Sequence, residues 1–162
     1  TLPALKAILV ALHEARPRAL RLGELADAAA LLRGGGLRPD ELADLVLLAV
    51  RMSLVTLYHE APPVGAQGAP RPLAPRLARA QASGDEGLSN LLHETVPVPE
   101  EERALLGLCD GSRDLAQLVG ELPPLLRRGQ IPDTGPGLQR WIGDALERLR
   151  RRGLLLAEAD HP

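Results

Sequence analysis

A mainly α fold built from two repeated helical modules, each closed by a short apolar strand, is the reading three features support. Tyr58 and Trp141 are the only aromatic residues, so a core must be assembled from Leu, Ala, Val and Ile, a palette weighted toward helix. Apolar residues recur at three- and four-residue spacing through most of the chain. The order of elements in the first third then returns in the last.

Leu2, Leu5, Ile8, Leu9 and Leu12 predict a first amphipathic helix that stops before Pro17. A second runs from about Leu22 to Leu32, with Leu22, Leu25, Ala26, Ala29 and Leu32 on one face, and Gly34-Gly35-Gly36 ends it. The third starts at Pro39, with Asp40 and Glu41 in its first turn, where the helix dipole favours negative charge. Leu42, Leu45, Val46, Ala49 and Met52 form its apolar face. Leu54 to Tyr58 reads as a short strand, closed by His59-Glu60 and Pro62-Pro63. Residues 61–89, rich in Pro, Gly and Ala, read as an extended connector with a short helix at Arg76 to Ala82.

Order resumes near Asn90, and Val96 to Pro99 reads as extended. A helix covers Glu100 to Leu108, Asp110-Gly111 turns the chain, and Ser112 is placed to cap the next helix. That helix carries Leu115, Leu118, Val119 and Leu122 on one face and ends at Pro123-Pro124. A long helix from about Pro136 holds Leu138, Trp141, Ile142, Ala145, Leu146 and Leu149. Gly153 caps it, and Leu154 to Ala157 reads as a closing strand. Leu22, Leu25, Ala26 and Ala29 answer Leu115, Leu118, Val119 and Leu122, while Leu42, Leu45, Val46 and Ala49 answer Leu138, Trp141, Ile142 and Ala145. Helix, helix, helix, strand describes tandem winged-helix-like modules with short β-wings. The domains follow as a first module over 1–60, a connector over 61–89 and a second module over 90–162.

A chain of 162 residues, 45% hydrophobic and 25% charged, is globular in composition. Its net charge of -2 and isoelectric point near 6.1 lack the basic footprint of a nucleic-acid partner. One cysteine, Cys109, excludes an internal disulfide framework and a multi-cysteine zinc site, and reads as a small core residue. No apolar stretch nears the roughly 20 residues of a membrane span, and the first helix, with Lys6, His13 and Glu14, is a poor signal peptide. A cytoplasmic setting and no membrane partner are expected. Thr1 stands in place of an initiator Met, so a piece of a longer chain is expected as well.

Few residues offer chemistry. Gly34-Gly35-Gly36 follows a helix rather than a buried strand, so it reads as a loop and not a phosphate cradle. His13, His59, His93 and His161 have no ligand-like spacing, and His93-Glu94 are neighbours that point apart in extended chain. Arg148, Arg150, Arg151 and Arg152 form the one dense basic cluster, at a helix C-terminus where cations are favoured in any case. Trp141 sits on the apolar stripe and reads as core, whereas Tyr58, near a strand end, is a candidate contact residue.

The segments Leu88-Ser89-Asn90-Leu91-Leu92-His93-Glu94-Thr95-Val96-Pro97, Glu102-Arg103-Ala104-Leu105-Leu106 and Cys109-Asp110-Gly111-Ser112-Arg113-Asp114 together resemble the C-terminal part of bacterial protein-lysine-methyltransferase-type enzymes. Arg71-Pro72-Leu73-Ala74-Pro75-Arg76-Leu77-Ala78-Arg79 resembles that family's connector, and Pro3-Ala4-Leu5-Lys6 through Pro17 its methyltransferase regulatory domain. Ser89 and Leu92 depart from the Thr and Arg of the pattern. The resemblance implies a C-terminal winged-helix domain in a class I S-adenosylmethionine-dependent methyltransferase. It also implies that the cofactor sits in a separate Rossmann-like catalytic domain, whose glycine-rich loop has no match here. This chain is then expected to bind no cofactor or metal and to carry no catalytic residue. It would dock on the catalytic domain, in the same longer chain or separate, position a protein substrate, or form a homodimer. Tyr58, Asn90, His93, Glu94 and the apolar connector are the candidate contacts. Two other readings stay open: a stand-alone winged-helix adaptor that binds an extended peptide on a wing edge, and a DNA-binding regulator.

Overall fold

Helices form where the apolar spacing places them. In the computed structural model, which describes residues 2–64, 69–126, 131–132 and 135–157, the first three are α1 (Leu2–Ala15), α2 (Leu22–Arg33) and α3 (Pro39–Arg51). Glu24 in the first turn of α2 accepts the Arg21 backbone N–H at 2.8 Å, satisfying a donor the helix leaves free. Gly34 ends α2 with φ +75, a left-handed conformation that glycine adopts without a Cβ clash. Pro39 opens α3 at its first turn, where its missing N–H costs nothing.

Ala4, Ala7, Ile8 and Ala11 make one face of α1 and pack on Leu25 and Ala29 of α2 and Leu42, Leu45 and Val46 of α3. Alanine at three of these four positions removes bulk between helix axes, so the core is thin and closely drawn. The strand expected at Leu54–Tyr58 does not form: the segment joins no ladder, and Leu54, Leu57 and Tyr58 are exposed. A strand needs a ladder partner, and the described residues of this unit supply none.

The chain divides into two compact units, Thr1–Pro62 and Pro63–Pro162. The second holds α4 (Arg76–Gln81), β1 (Leu88–Ser89), β2 (Thr95–Val96), α5 (Glu100–Leu108), α6 (Leu115–Glu121), a 3-10 turn at Pro123–Leu125 and α7 (Gly135–Arg151). Residues 65–68 of the stretch read as connector, and His161, lie outside the described residues. The rest of that stretch is built into the second unit: Ala74, Ala78 and Leu88 sit in its core with Leu105, Leu106, Leu118, Leu122, Leu138, Ile142, Leu149 and Leu154. Each large side chain there contributes roughly 1.5–3 kcal/mol through burial. Trp141 packs against the same cluster, as its place on the stripe predicts.

β1 and β2 pair antiparallel, Leu88 opposite Val96 and Ser89 opposite Thr95, and form the short wing. Leu154 to Ala157, expected as a strand, instead makes an isolated bridge between Leu156 and Val64. Leu73 bridges to Asp110, and its carbonyl accepts the Leu156 N–H at 2.8 Å. Residues 72–74 thus stitch the end of α5 to the C-terminal segment. The α6 cap is Asp114 rather than Ser112: its carboxylate accepts the Gln117 N–H at 2.9 Å, and the Gln117 side chain returns to the Asp114 N–H. Ser112 is instead occupied in the preceding turn, where its N–H and hydroxyl both reach Asp110.

Candidate functional site

The wing brings Asn90, His93 and Glu94 together. The pairing of Ser89 with Thr95, continued by the Asn90 N–H donating to the Glu94 carbonyl at 3.0 Å, leaves Leu91, Leu92 and His93 at the hairpin tip, and such three-residue tips close with a left-handed residue. His93 occupies that position with φ +59, and its N–H donates to the Asn90 carbonyl at 3.1 Å. Its ring is exposed. Tyr58 belongs to the first unit, where it is exposed beside Leu57.

Asn90 is buried and fully occupied. Its Oδ1 accepts the N–H groups of Leu92 at 2.9 Å and Glu94 at 2.8 Å, while Nδ2 donates to Glu94 Oε2 at 3.0 Å and to the Arg152 carbonyl at 2.9 Å. The last bond, with the Leu91 N–H to the Gly153 carbonyl at 2.8 Å, ties the wing to the end of α7. Gly153 takes φ +70 there, and a Cβ on it would meet Asn90 and Leu92. Asn90→Ala therefore leaves its four partners unmatched and is expected to cost about 2 kcal/mol in the chain alone. Thermal unfolding checks this; an unchanged melting temperature would mean the residue does not secure the wing.

Two charges inside α5 escaped the sequence reading. Glu102 is buried and bridges α5 to α7, taking Arg148 Nε at 2.6 Å and Arg152 Nη1 at 2.5 Å. Arg103, also buried, meets backbone carbonyls: Nε donates to Val98 at 2.9 Å, Nη1 to Gly84 at 2.7 Å and Gln81 at 3.5 Å, and Nη2 to Asp85 at 3.2 Å and to Glu86. It thereby holds the end of α4 and its following turn against α5. A signal was present, since Glu102 and Arg103 lie one helical turn before Leu105 and Leu106 and so share their inward face.

The basic cluster is spent on ion pairs in the same way. Arg150 and Arg151 both hold Glu147, at 2.7 and 2.8 Å. Hydrogen bonds from Arg150, then Arg151, pull the Glu147 carboxyl down to about 2. Asp110 is held far below the usual carboxylate range by the Ser112 hydroxyl and N–H and by Arg113, which also pairs with Glu121 at 2.7 Å. Carboxyls lowered in the folded state stabilise it above their ordinary values near 4, and that contribution is lost as pH falls through their folded values. The melting temperature is thus expected to fall as pH drops from about 4.5 to about 2, and Glu147→Gln to flatten the slope. A slope unchanged by that substitution would remove Glu147 from the acid response.

The Cys109 thiol donates to the Leu105 carbonyl at 3.2 Å, and burial, followed by the Asp110 charge, pushes it up to about 12, so little thiolate forms near neutrality. No group of three His, Cys, Asp or Glu among the described residues is arranged to hold a metal ion. The glycine loop does not fit the S-adenosylmethionine of the resembled enzymes either. The Gly34 and Gly35 N–H groups both donate to the Ala30 carbonyl, at 2.9 and 3.1 Å, so they cap α2 instead of facing an anion.

Comparison with known proteins agrees with this geometry. PKMT2 from Rickettsia typhi superimposes with a TM-score of 0.70 at 22% identity, over 94% of this chain and 34% of that one. Its complex with AdoHcy gives 0.71 at 20% identity, with the same coverage. The chain spans about a third of the length of these solved relatives, and the likeness is one of fold. No curated protein matches. A family model described as "PKMT, C-terminal winged helix domain" matches residues 70–154, more than half of the chain, and the chain belongs to that family.

Proposed function

We propose that this chain is the non-catalytic region of a class I S-adenosylmethionine-dependent methyltransferase that acts on protein, docking on the catalytic domain and positioning the acceptor lysine. One observation carries the reading: five charged residues of the family-like segments are consumed by the fold. Glu102 clasps α7, Arg103 holds the end of α4, Asp110 and Arg113 lock a turn, and Asp114 caps α6. A second unit fastened in this way can contribute to methyl transfer by holding a nucleophile near the sulfonium. The AdoHcy-bound relative, three times as long, supports placing the cofactor in the part of the enzyme this chain lacks. A cytoplasmic setting accompanies the reading, and no helix among the described residues is long and apolar enough to cross a membrane.

A stand-alone peptide adaptor would bind through a strand edge, and β1 and β2 offer only two residues each. A DNA-binding regulator would draw on the arginine cluster at the end of α7, and Arg148, Arg150, Arg151 and Arg152 are each paired with a carboxylate.

Calorimetric titration with S-adenosylmethionine tests the division of labour. The chain alone is expected to give no binding heat, and the methyltransferase lacking this region to bind the cofactor as tightly as the intact enzyme. Saturable binding by the chain would overturn the proposal.

A further inference from the structure

α3 carries large apolar residues on the side turned away from its core. Leu42, Leu45, Val46 and Ala49 face inward and are buried. Opposite them Asp44, Leu47, Leu48 and Arg51 are exposed, where a surface helix ordinarily shows polar residues alone. Leu47, Leu48 and Met52, with Leu54, Leu57 and Tyr58 just after the helix, are each between 40% and 61% exposed. The Leu54 N–H donates to the Ala49 carbonyl at 2.9 Å, which folds the chain back at Ser53 and keeps Leu54 beside the last turn of α3. Six such side chains present several hundred Å² of apolar surface, comparable to the largest patch on a typical monomer, about 300–600 Å².

We infer that a second copy of this chain covers this face, with α3 packed antiparallel on α3 about a two-fold axis between Leu47 and Leu48. The charges beside the patch name this occupant. Asp44 lies three residues before Leu47, Arg51 lies three residues after Leu48, and helical spacing puts both on the same outward line. A two-fold turns one helix end for end on the other. Leu47 and Leu48 then meet the same residues of the second copy, and each Asp44 faces the other copy's Arg51. Both charges are available for it: Asp40 pairs with Arg38 at 3.0 Å and Glu41 with Arg33 at 3.9 Å, whereas Asp44 and Arg51 pair with no described residue. A foreign partner would be met by one sign of charge. Opposite signs placed evenly about an apolar centre fit the same surface turned around. The patch and its rim, taken from both copies, come near the roughly 1,200 Å² at which specific interfaces begin, so a dimer with micromolar dissociation is expected.

This inference is independent of the function proposed above. Sedimentation equilibrium of the 162-residue chain is expected to show monomer passing to dimer across micromolar concentrations. Asp44→Arg and Arg51→Asp each set like charges together twice per dimer, and each is expected to weaken association about tenfold or more. The double variant restores opposite charges and is expected to recover most of the loss. Leu47→Glu is expected to leave only monomer, and its side chain is already exposed, so circular dichroism of the diluted protein should be unchanged. A chain that stays monomeric at every concentration would overturn the inference. So would a dimer indifferent to Leu47→Glu, which would place the contact elsewhere, or a charge swap that recovers nothing, which would exclude the antiparallel pairing.

Discussion

Replacing Arg148 and Arg152 together with alanine is expected to destabilise the second unit by about 3–5 kcal/mol, the largest loss from any surface-reaching substitution. The two arginines are 43% and 33% exposed at the side chain, whereas Glu102, which they share, is only 5% exposed. The carboxylate is therefore the buried member, and removing its cations strands it between α5 and α7. The reverse change has a different cost. Glu102→Leu leaves two arginines that can turn to water, and it fills a space that already borders apolar residues, so about 1 kcal/mol or less is expected. Thermal unfolding of both variants measures the asymmetry, since a unit of this size loses roughly 4–8 °C for each kcal/mol. Equal losses would mean the bridge does not act as a buried carboxylate held by exposed cations.

Arg103→Met is expected to cost about 3 kcal/mol, through a different physical effect. Here no carboxylate is paired. The guanidinium satisfies five carbonyls, at Gln81, Gly84, Asp85, Glu86 and Val98, and so anchors the end of a six-residue helix too short to persist alone. Methionine keeps the apolar stem but supplies no donor. Arg103→Lys is expected to recover less than half of the loss, because a single ammonium cannot reproduce the planar fork. Hydrogen exchange at residues 76–86 follows the local effect: protection there should drop with Met, while α7 stays protected. Full recovery by Lys would show that charge alone, not fork geometry, holds this turn.

The helices were legible in the sequence because their signal is local. Glu100 to Leu108 was read with the bounds the structure shows, and Pro39, Gly34 and Gly153 mark ends through their own backbone preferences. Strands were not legible, because pairing depends on distant partners. Leu54–Tyr58 has the composition of a strand and no ladder to join, whereas the wing formed at Leu88–Ser89 and Thr95–Val96, inside a motif noted for its resemblance. Residues 61–89 read as a connector with a short helix at Arg76 to Ala82, because proline and alanine carry little hydrophobic signal, yet Ala74 and Ala78 are core residues. They show that a core position can be filled by a residue chosen for close approach. The Glu102 bridge joins residues 46 and 50 positions apart, so composition could only present its arginines as a basic cluster. Asn90, His93 and Glu94 were grouped in the sequence as candidate contacts. Their bonds to one another and to α7 are what the sequence leaves unsaid, and those bonds explain Asn90 and Glu94 as wing fasteners.

The most direct measurement follows labelled methyl groups from S-adenosylmethionine into protein, comparing the longer enzyme proposed above with one lacking residues 1–162. The account predicts that the shortened enzyme still folds and binds cofactor but loses its acceptor proteins or exchanges them for others. The same acceptors methylated at the same rates, or methyl transfer by the 162-residue chain alone, would contradict it.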